Sequence, residues 1–172
     1  MVETDPVPCY GDIDFADFRR YRNRKLNELR SPLYLTGFWG FQQIRETGLG
    51  ICLDICHNRT IYRTANSQEY SGVLHPEDLD ILRILTLLED VKSLESTDLV
   101  HLNDGSGIYS KKDKNVFKEG ITLGEGDIFE LDKILEYIDY NQIPWVLEIN
   151  EEDFNKRPNT RKSIEYILKV LK

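Results

Sequence analysis

Four short apolar runs punctuate the chain, at 1–4, 49–54, 99–102 and 145–149. Polar and apolar positions do not strictly alternate in them, which is the pattern of strands covered on both faces, so they predict buried parallel strands. Between the runs, apolar residues recur at helical spacing. Phe15, Phe18, Leu26 and Leu29, with Arg22 among them, follow Asp14 as an N-cap, and a second helix over 38–47 ends at Gly48. A third opens with Pro76 in its first turn and acidic Glu77, Asp78 and Asp80, then runs through Ile81, Leu82, Ile84, Leu85 and Leu88. Ile128, Leu131, Ile134, Leu135 and Ile138 predict an amphipathic fourth. Ile164, Ile167, Leu168 and Leu171 predict a last one, capped near Asn159.

Strand and helix thus alternate along the chain, which predicts an α/β fold with a parallel sheet, either open and doubly wound or closed into a barrel. The length of 172 residues, 40% hydrophobic, suits one domain over 1–172. Stretches 55–73 and 103–127 read as long connections, and such connections often carry function.

Each apolar run ends on or just before a side chain that can bind a metal: Glu3, Asp54 with His57 just beyond, His101, and Glu148. In parallel sheets and barrels the C-terminal strand ends converge on one face, so residues far apart in sequence can share a pocket. Three carboxylates and an imidazole form a mixed oxygen and nitrogen set, suited to Mn, Zn, Mg or Co. Glu148 between Leu147 and Ile149 is the most telling, because carboxylates are rarely buried without a partner. Val100, Leu102, Val146 and Leu147 are expected to form a dry wall around the set. Arg59, Arg63, Lys111 and Lys112, in the long connections, could hold a phosphate or hydroxyls.

Charge narrows the classes of partner. The formal net charge of −8 argues against a protein that coats nucleic acid. Arg19, Arg20, Arg22, Arg24, Lys25 and Arg30 nevertheless make one locally basic segment, which reads as a solvated helix face. Cys9, Cys52 and Cys56 are odd in number, and two lie in or beside a strand, so reduced core thiols are expected and not a disulfide framework. No apolar stretch approaches the roughly 20 residues of a membrane span, and Met1 is not followed by a signal-like segment, so a cytoplasmic protein with no membrane association is expected.

Four segments carry a family resemblance: Leu-Asp-Ile-Cys-His (53–57), His-Leu-Asn-Asp (101–104), Leu-Gly-Glu-Gly-Asp-Ile (123–128) and Leu-Glu-Ile (147–149). In that order they resemble the xylose isomerase-like and endonuclease IV (AP endonuclease family 2) superfamily of metal-dependent TIM barrels. The resemblance covers most of 49–172 and, more weakly, 1–6. It implies parallel β/α units of a TIM-like barrel, about the C-terminal half, since a whole barrel takes about 250 residues. It matches Glu3, Asp54, His101 and Glu148 to the metal ligands of sugar isomerases and epimerases, and His57 to a substrate-contacting or second-metal histidine. Glu3 and Glu148 then act as the carboxylates that remove and return a proton beside a carbonyl, with His57 as a third catalytic candidate. Asn103 joins His57, Arg59 and Lys111 as a substrate-binding candidate.

Three functions follow as expectations. The first is a metal-dependent isomerase or epimerase acting on a small sugar or sugar phosphate. The second is a zinc-dependent abasic-site endonuclease or phosphodiesterase, which would have nucleic acid as its partner. Endonuclease IV members use three zinc ions and need an Asp-x-His before the Gly-Glu-Gly turn. Lys118, Glu119 and Gly120 stand there instead, and no histidine follows His101, so this chain alone does not supply that site. The third is a non-catalytic half-barrel needing a partner, either a separate N-terminal half or a second copy in a homodimer, because a half barrel leaves sheet edges open.

Overall fold

The computed structural model describes residues 1–4, 40–68, 79–80, 82–108 and 117–172. The helix expected after Asp14 with its basic segment, Cys9, the Pro76 helix start, Lys111 and Lys112 all lie outside the described residues. In chain order the elements are β1 (Val2–Glu3), α1 (Gly40–Glu46), β2 (Ile51–Asp54), α2 (Ile55–Ala65), α3 (Leu87–Lys92), β3 (Leu99–Leu102), β4 (Asp104–Ser106), β5 (Lys118–Ile121), α4 (Leu131–Tyr140), β6 (Trp145–Leu147) and α5 (Pro158–Val170).

All four expected strands form. They assemble into one sheet in the order β1-β2-β3-β6, with every neighbouring pair parallel. Among the described residues the sheet is open, with β1 bonded only to β2 and β6 only to β3, so no closed barrel is formed. β4 and β5 make a separate antiparallel pair. No described helix is long and apolar enough to cross a membrane.

Register decides what each face carries. Leu53 pairs with Val100, and Val100 with Trp145, while Asp54 pairs with His101, and His101 with Val146. Side chains alternate along a strand, so Ile51, Leu53, Val100 and Leu102 share one face and Cys52, Asp54, His101 and Val146 the other. The first four are buried in the main core with Phe41, Ile55, Ile61, Val91, Leu131, Ile134, Leu135 and Ile138. Each such residue contributes on the order of 1.5–3 kcal/mol by leaving water.

This corrects two expectations. Burial alternates along β3, and β6 is largely exposed, so the strands are not covered on both faces throughout. The expected dry wall does not form either. Val100, Leu102 and Leu147 belong to the core face, and Val146, which does share the ligand face, is 50% exposed. Adjacent strand residues point to opposite sides, so neighbours of a ligand in sequence are its antipodes in space.

Three helix readings also change. Residues 55–65 form α2 instead of a loop. Asp54 caps it by accepting the His57 amide at 2.9 Å. Polar Asn58, Arg59, Thr60 and Thr64 are buried in it beside Ile55, Cys56, Ile61, Tyr62 and Ala65, which is why a reading that takes polar residues for a connection misses this helix. The third helix is broken between 82 and 87, with α3 starting after Thr86, and Ile84 is left 80% exposed. Leu82 and Leu87 supply the buried contacts instead. At α5 the N-terminal amides of Asn159 and Thr160 are received by the Glu151 carboxylate at 3.2 and 2.6 Å, so Glu151 does the capping expected of Asn159. Of the apolar stripe expected on α5, Ile167 is buried, whereas Ile164 and Leu168 are exposed. Gly48 does end α1 as expected, at φ +77° with its amide bonded to the Arg45 carbonyl at 2.9 Å.

Candidate metal centre

Parallel pairing in this register brings one polar side chain from each of the four strands to the open face. Glu3 lies on β1, Asp54 ends β2, His101 lies within β3, and Glu148 follows β6, its amide bonded to the Leu102 carbonyl at 3.1 Å. Each offers one ligand atom, and these four atoms lie within 4.8 Å of one another. The structure therefore brings together the four ligands expected from the strand ends.

His101 is the centre of the group. Its Nδ1 lies 2.8 Å from Glu3 Oε1, 2.7 Å from Glu148 Oε2 and 4.0 Å from Asp54 Oδ2. Despite these short distances, Nδ1 is a buried atom with no hydrogen-bond partner. Carboxylate oxygens and a ring nitrogen thus converge without donating to one another. A divalent cation accepting all of them fits such a donor set, since it offsets the mutual repulsion of three carboxylates.

Asp54 is the buried member, 1% exposed, while the Glu3 and Glu148 side chains are 46% and 55% exposed. Its two oxygens are divided between tasks. Oδ1 caps α2, and Oδ2 faces the imidazoles while accepting from Asn103 Nδ2 at 3.0 Å. Asn103 is buried, and its Oδ1 accepts the Cys56 amide at 3.1 Å. It fixes a ligand from behind, a different placement from the substrate contact expected of it. Burial pushes the Asp54 carboxyl up to about 6, against the opposing pull of the His57 charge and of its hydrogen bonds.

Sequence reading passed over Thr4. Its hydroxyl accepts the Asp54 amide at 3.0 Å, and its carbonyl lies 2.9 Å from His57 Nδ1. That ties the residue after Glu3 to the end of β2. His57 also reaches Glu119 Oε2 through Nε2 at 3.1 Å, with Asp54 Oδ2 3.7 Å from Nδ1. Burial opposes charging this ring, but the Asp54 charge, the Thr4 carbonyl and Glu119 outweigh it and raise the pKa above the ordinary histidine value. The sequence pattern gives Glu119 no role beyond its place in Lys118-Glu119-Gly120, and it comes from the distant β5.

Cys52 also sits on the ligand face, grouped with Glu3 and His101. Burial, then the Glu3, Asp54 and Glu148 charges, push its thiol up to about 12, so the carboxylates are the better ligands at neutral pH. Cys52 and Cys56 are free, as expected of core thiols. Arg59 is placed apart from the four ligands. It is buried, donates to the Gly107 carbonyl at 2.8 and 2.6 Å, and pairs with Asp127 at 3.2 Å. Arg63 pairs with the same Asp127 at 3.1 Å and lies over the Phe129 ring. Both arginines thus brace α2 against the 122–128 turn.

No family model matches the chain, and no curated relative matches it. Among solved structures, one described as "The crystal structure of AsfvAP:AG" is similar, with 20% identity and a TM-score of 0.41 over 77% of this chain and 45% of that one. The chain therefore spans less than half the length of that structure. A likeness this distant leaves function to the chemistry of the site itself.

Proposed function

We propose that the chain binds a divalent metal ion through Glu3, Asp54, His101 and Glu148 and acts as an isomerase or epimerase on a small sugar or sugar phosphate. The observation that carries the metal site is the buried Nδ1 of His101, which makes no hydrogen bond yet lies less than 3 Å from carboxylate oxygens of Glu3 on β1 and of Glu148 just after β6. When bound, the metal polarises a substrate carbonyl or hydroxyl and steadies negative charge developing on its oxygen.

The four residues are not equivalent. Asp54 is buried and held by the His57 amide and Asn103, which suits a fixed ligand. Glu3 and Glu148 enter from the two outer strands and are half exposed, so substrate can reach them from either side of His101. Two carboxylates so placed can divide the proton work: one, ionised, takes the proton beside the carbonyl, and the other, starting as the carboxylic acid, donates its own proton to the neighbouring carbon or to the opposite face. Solvent exchange then restores the starting protonation states. The support for a sugar substrate is the resemblance of the strand-end motifs, together with this carboxylate pair.

The test begins with metal content by plasma mass spectrometry and titration calorimetry with Mn2+. Loaded protein is then incubated in D2O with a panel of ketoses and ketose phosphates, and deuterium gain beside the carbonyl is followed by NMR. Near one metal ion per chain and substrate-specific exchange support the reading. Failure to take up metal sinks it, whereas metal uptake with cleavage of abasic DNA and no exchange would transfer the site to phosphodiester chemistry.

A further inference from the structure

We propose that Glu119 is a positioning residue for this centre, acting through His57 and Thr4 on the strand ends that carry Glu3 and Asp54. The inference rests on the metal-site reading above and assigns a role to a residue outside the four ligands.

Glu119 lies on β5, in the small antiparallel pair and not in the four-stranded sheet. Its side chain and main chain reach opposite sides of the centre. Oε2 meets His57 Nε2 at 3.1 Å, and the other ring nitrogen meets the Thr4 carbonyl at 2.9 Å. Both partners are acceptors, so the ring is bracketed by an oxygen at each nitrogen and donates to at least one of them. Thr4 passes that constraint on, because its hydroxyl holds the Asp54 amide at 3.0 Å and its neighbour in the chain is Glu3. On the other side, the Glu119 carbonyl accepts from Asn150 Nδ2 at 2.8 Å, and the Gly120 carbonyl accepts the Asn150 amide at 2.8 Å. Asn150 is two residues beyond Glu148.

The fit at this clasp is close. Gly120 has φ +64°, and a Cβ there would lie 2.6 Å from Asn150 Nδ2, so a side chain at 120 would both strain the backbone and push the Glu148 segment away. β5 therefore joins the Glu3–Asp54 side of the site to the Glu148 side. Outer partners of this kind set the orientation of metal ligands.

The test compares the wild type with Glu119→Ala and Glu119→Gln. Calorimetry with Mn2+ should show affinity about 10-fold weaker in Glu119→Ala. Glu119→Gln should recover most of it, because its amide can still bond to Nε2. Melting in the presence of a chelator should be nearly the same for all three, since the Glu119 side chain is half exposed. The electron paramagnetic resonance lines of bound Mn2+ should broaden in Glu119→Ala alone, a change that lost stability would not produce. Unchanged Mn2+ affinity in Glu119→Ala, or equal losses in both variants, would overturn the proposal while leaving the metal site standing. A wild-type chain that takes up no Mn2+, while Glu148→Gln behaves identically, would remove the metal site and this role with it.

Discussion

Two buried aspartates, Asp54 and Asp104, lie close in the fold and are used in opposite ways. Asp104 starts β4, and its carboxylate accepts the amides of Gly105, Gly124, Gly126 and Ile128 at 2.7, 3.0, 3.0 and 3.4 Å. Its bonding capacity is consumed in shaping the 122–128 turn. Asp54 commits one oxygen to the α2 cap and turns the other toward two imidazoles, where Glu3 and Glu148 crowd the same nitrogen of His101. The first site is complete within the chain; the second concentrates negative charge around a ring nitrogen that makes no hydrogen bond. The Asp104 carboxylate is met by amides, whereas the Glu3, Asp54 and Glu148 carboxylates are gathered around one imidazole.

The sharpest way to break this contrast is Asp104→Ala. It strands up to four amides, each worth about 1–3 kcal/mol when left unsatisfied, so urea denaturation should show a loss of roughly 4 kcal/mol or more. A loss under about 1 kcal/mol would mean that the turn holds itself. Glu148→Gln should behave in the reverse manner. Mn2+ affinity should drop on the order of 100-fold, while the urea midpoint of the metal-free chain stays level or rises as carboxylate repulsion is relieved. Destabilisation comparable to Asp104→Ala would place Glu148 among the structural carboxylates.

Acidity provides the next test. The Asp54 carboxyl, raised to about 6, is protonated in the metal-free fold below that pH. Mn2+ must displace this proton, so Asp54 by itself should weaken affinity about tenfold per pH unit as pH drops below about 6. Without metal the sign reverses. A raised carboxyl favours the folded state while protonated, so this contribution is present below the ordinary aspartate value near 4 and is lost as pH rises through about 6. Calorimetry across pH 5–8 and chelated melting curves of the wild type and Asp54→Asn would show both trends. The smallest effect should come from Cys56→Ser, about 1 kcal/mol for placing a hydroxyl in a buried thiol site, with Mn2+ binding unchanged. Lost Mn2+ binding there would reveal sulfur ligation.

The chain pattern made much of this legible. Glu3, Asp54, His101 and Glu148 were visible because each stands at a strand end, and parallel strands bring such ends together. The helix over 55–65 was missed because its many polar residues, Asn58, Arg59, Thr60 and Thr64 among them, read as a connection although tertiary packing buries them. Arg59 and Asn103 read from sequence as substrate-binding candidates, but their partners, Gly107 and Asp127 for one and Asp54 for the other, are set by packing. The partner of Glu119 was hidden for the same reason, His57 lying 62 positions away.

Local sequence by itself determined that strands form at these four places and that a ligand-type side chain stands at or next to each, because those properties depend on neighbours a few positions away. Only the tertiary structure decided the register Asp54↔His101↔Val146, the side of the sheet that stays open, and the division between Asp54 and Asp104. Those outcomes depend on pairings across dozens of residues. A shift of one position in register would send each ligand to the opposite face.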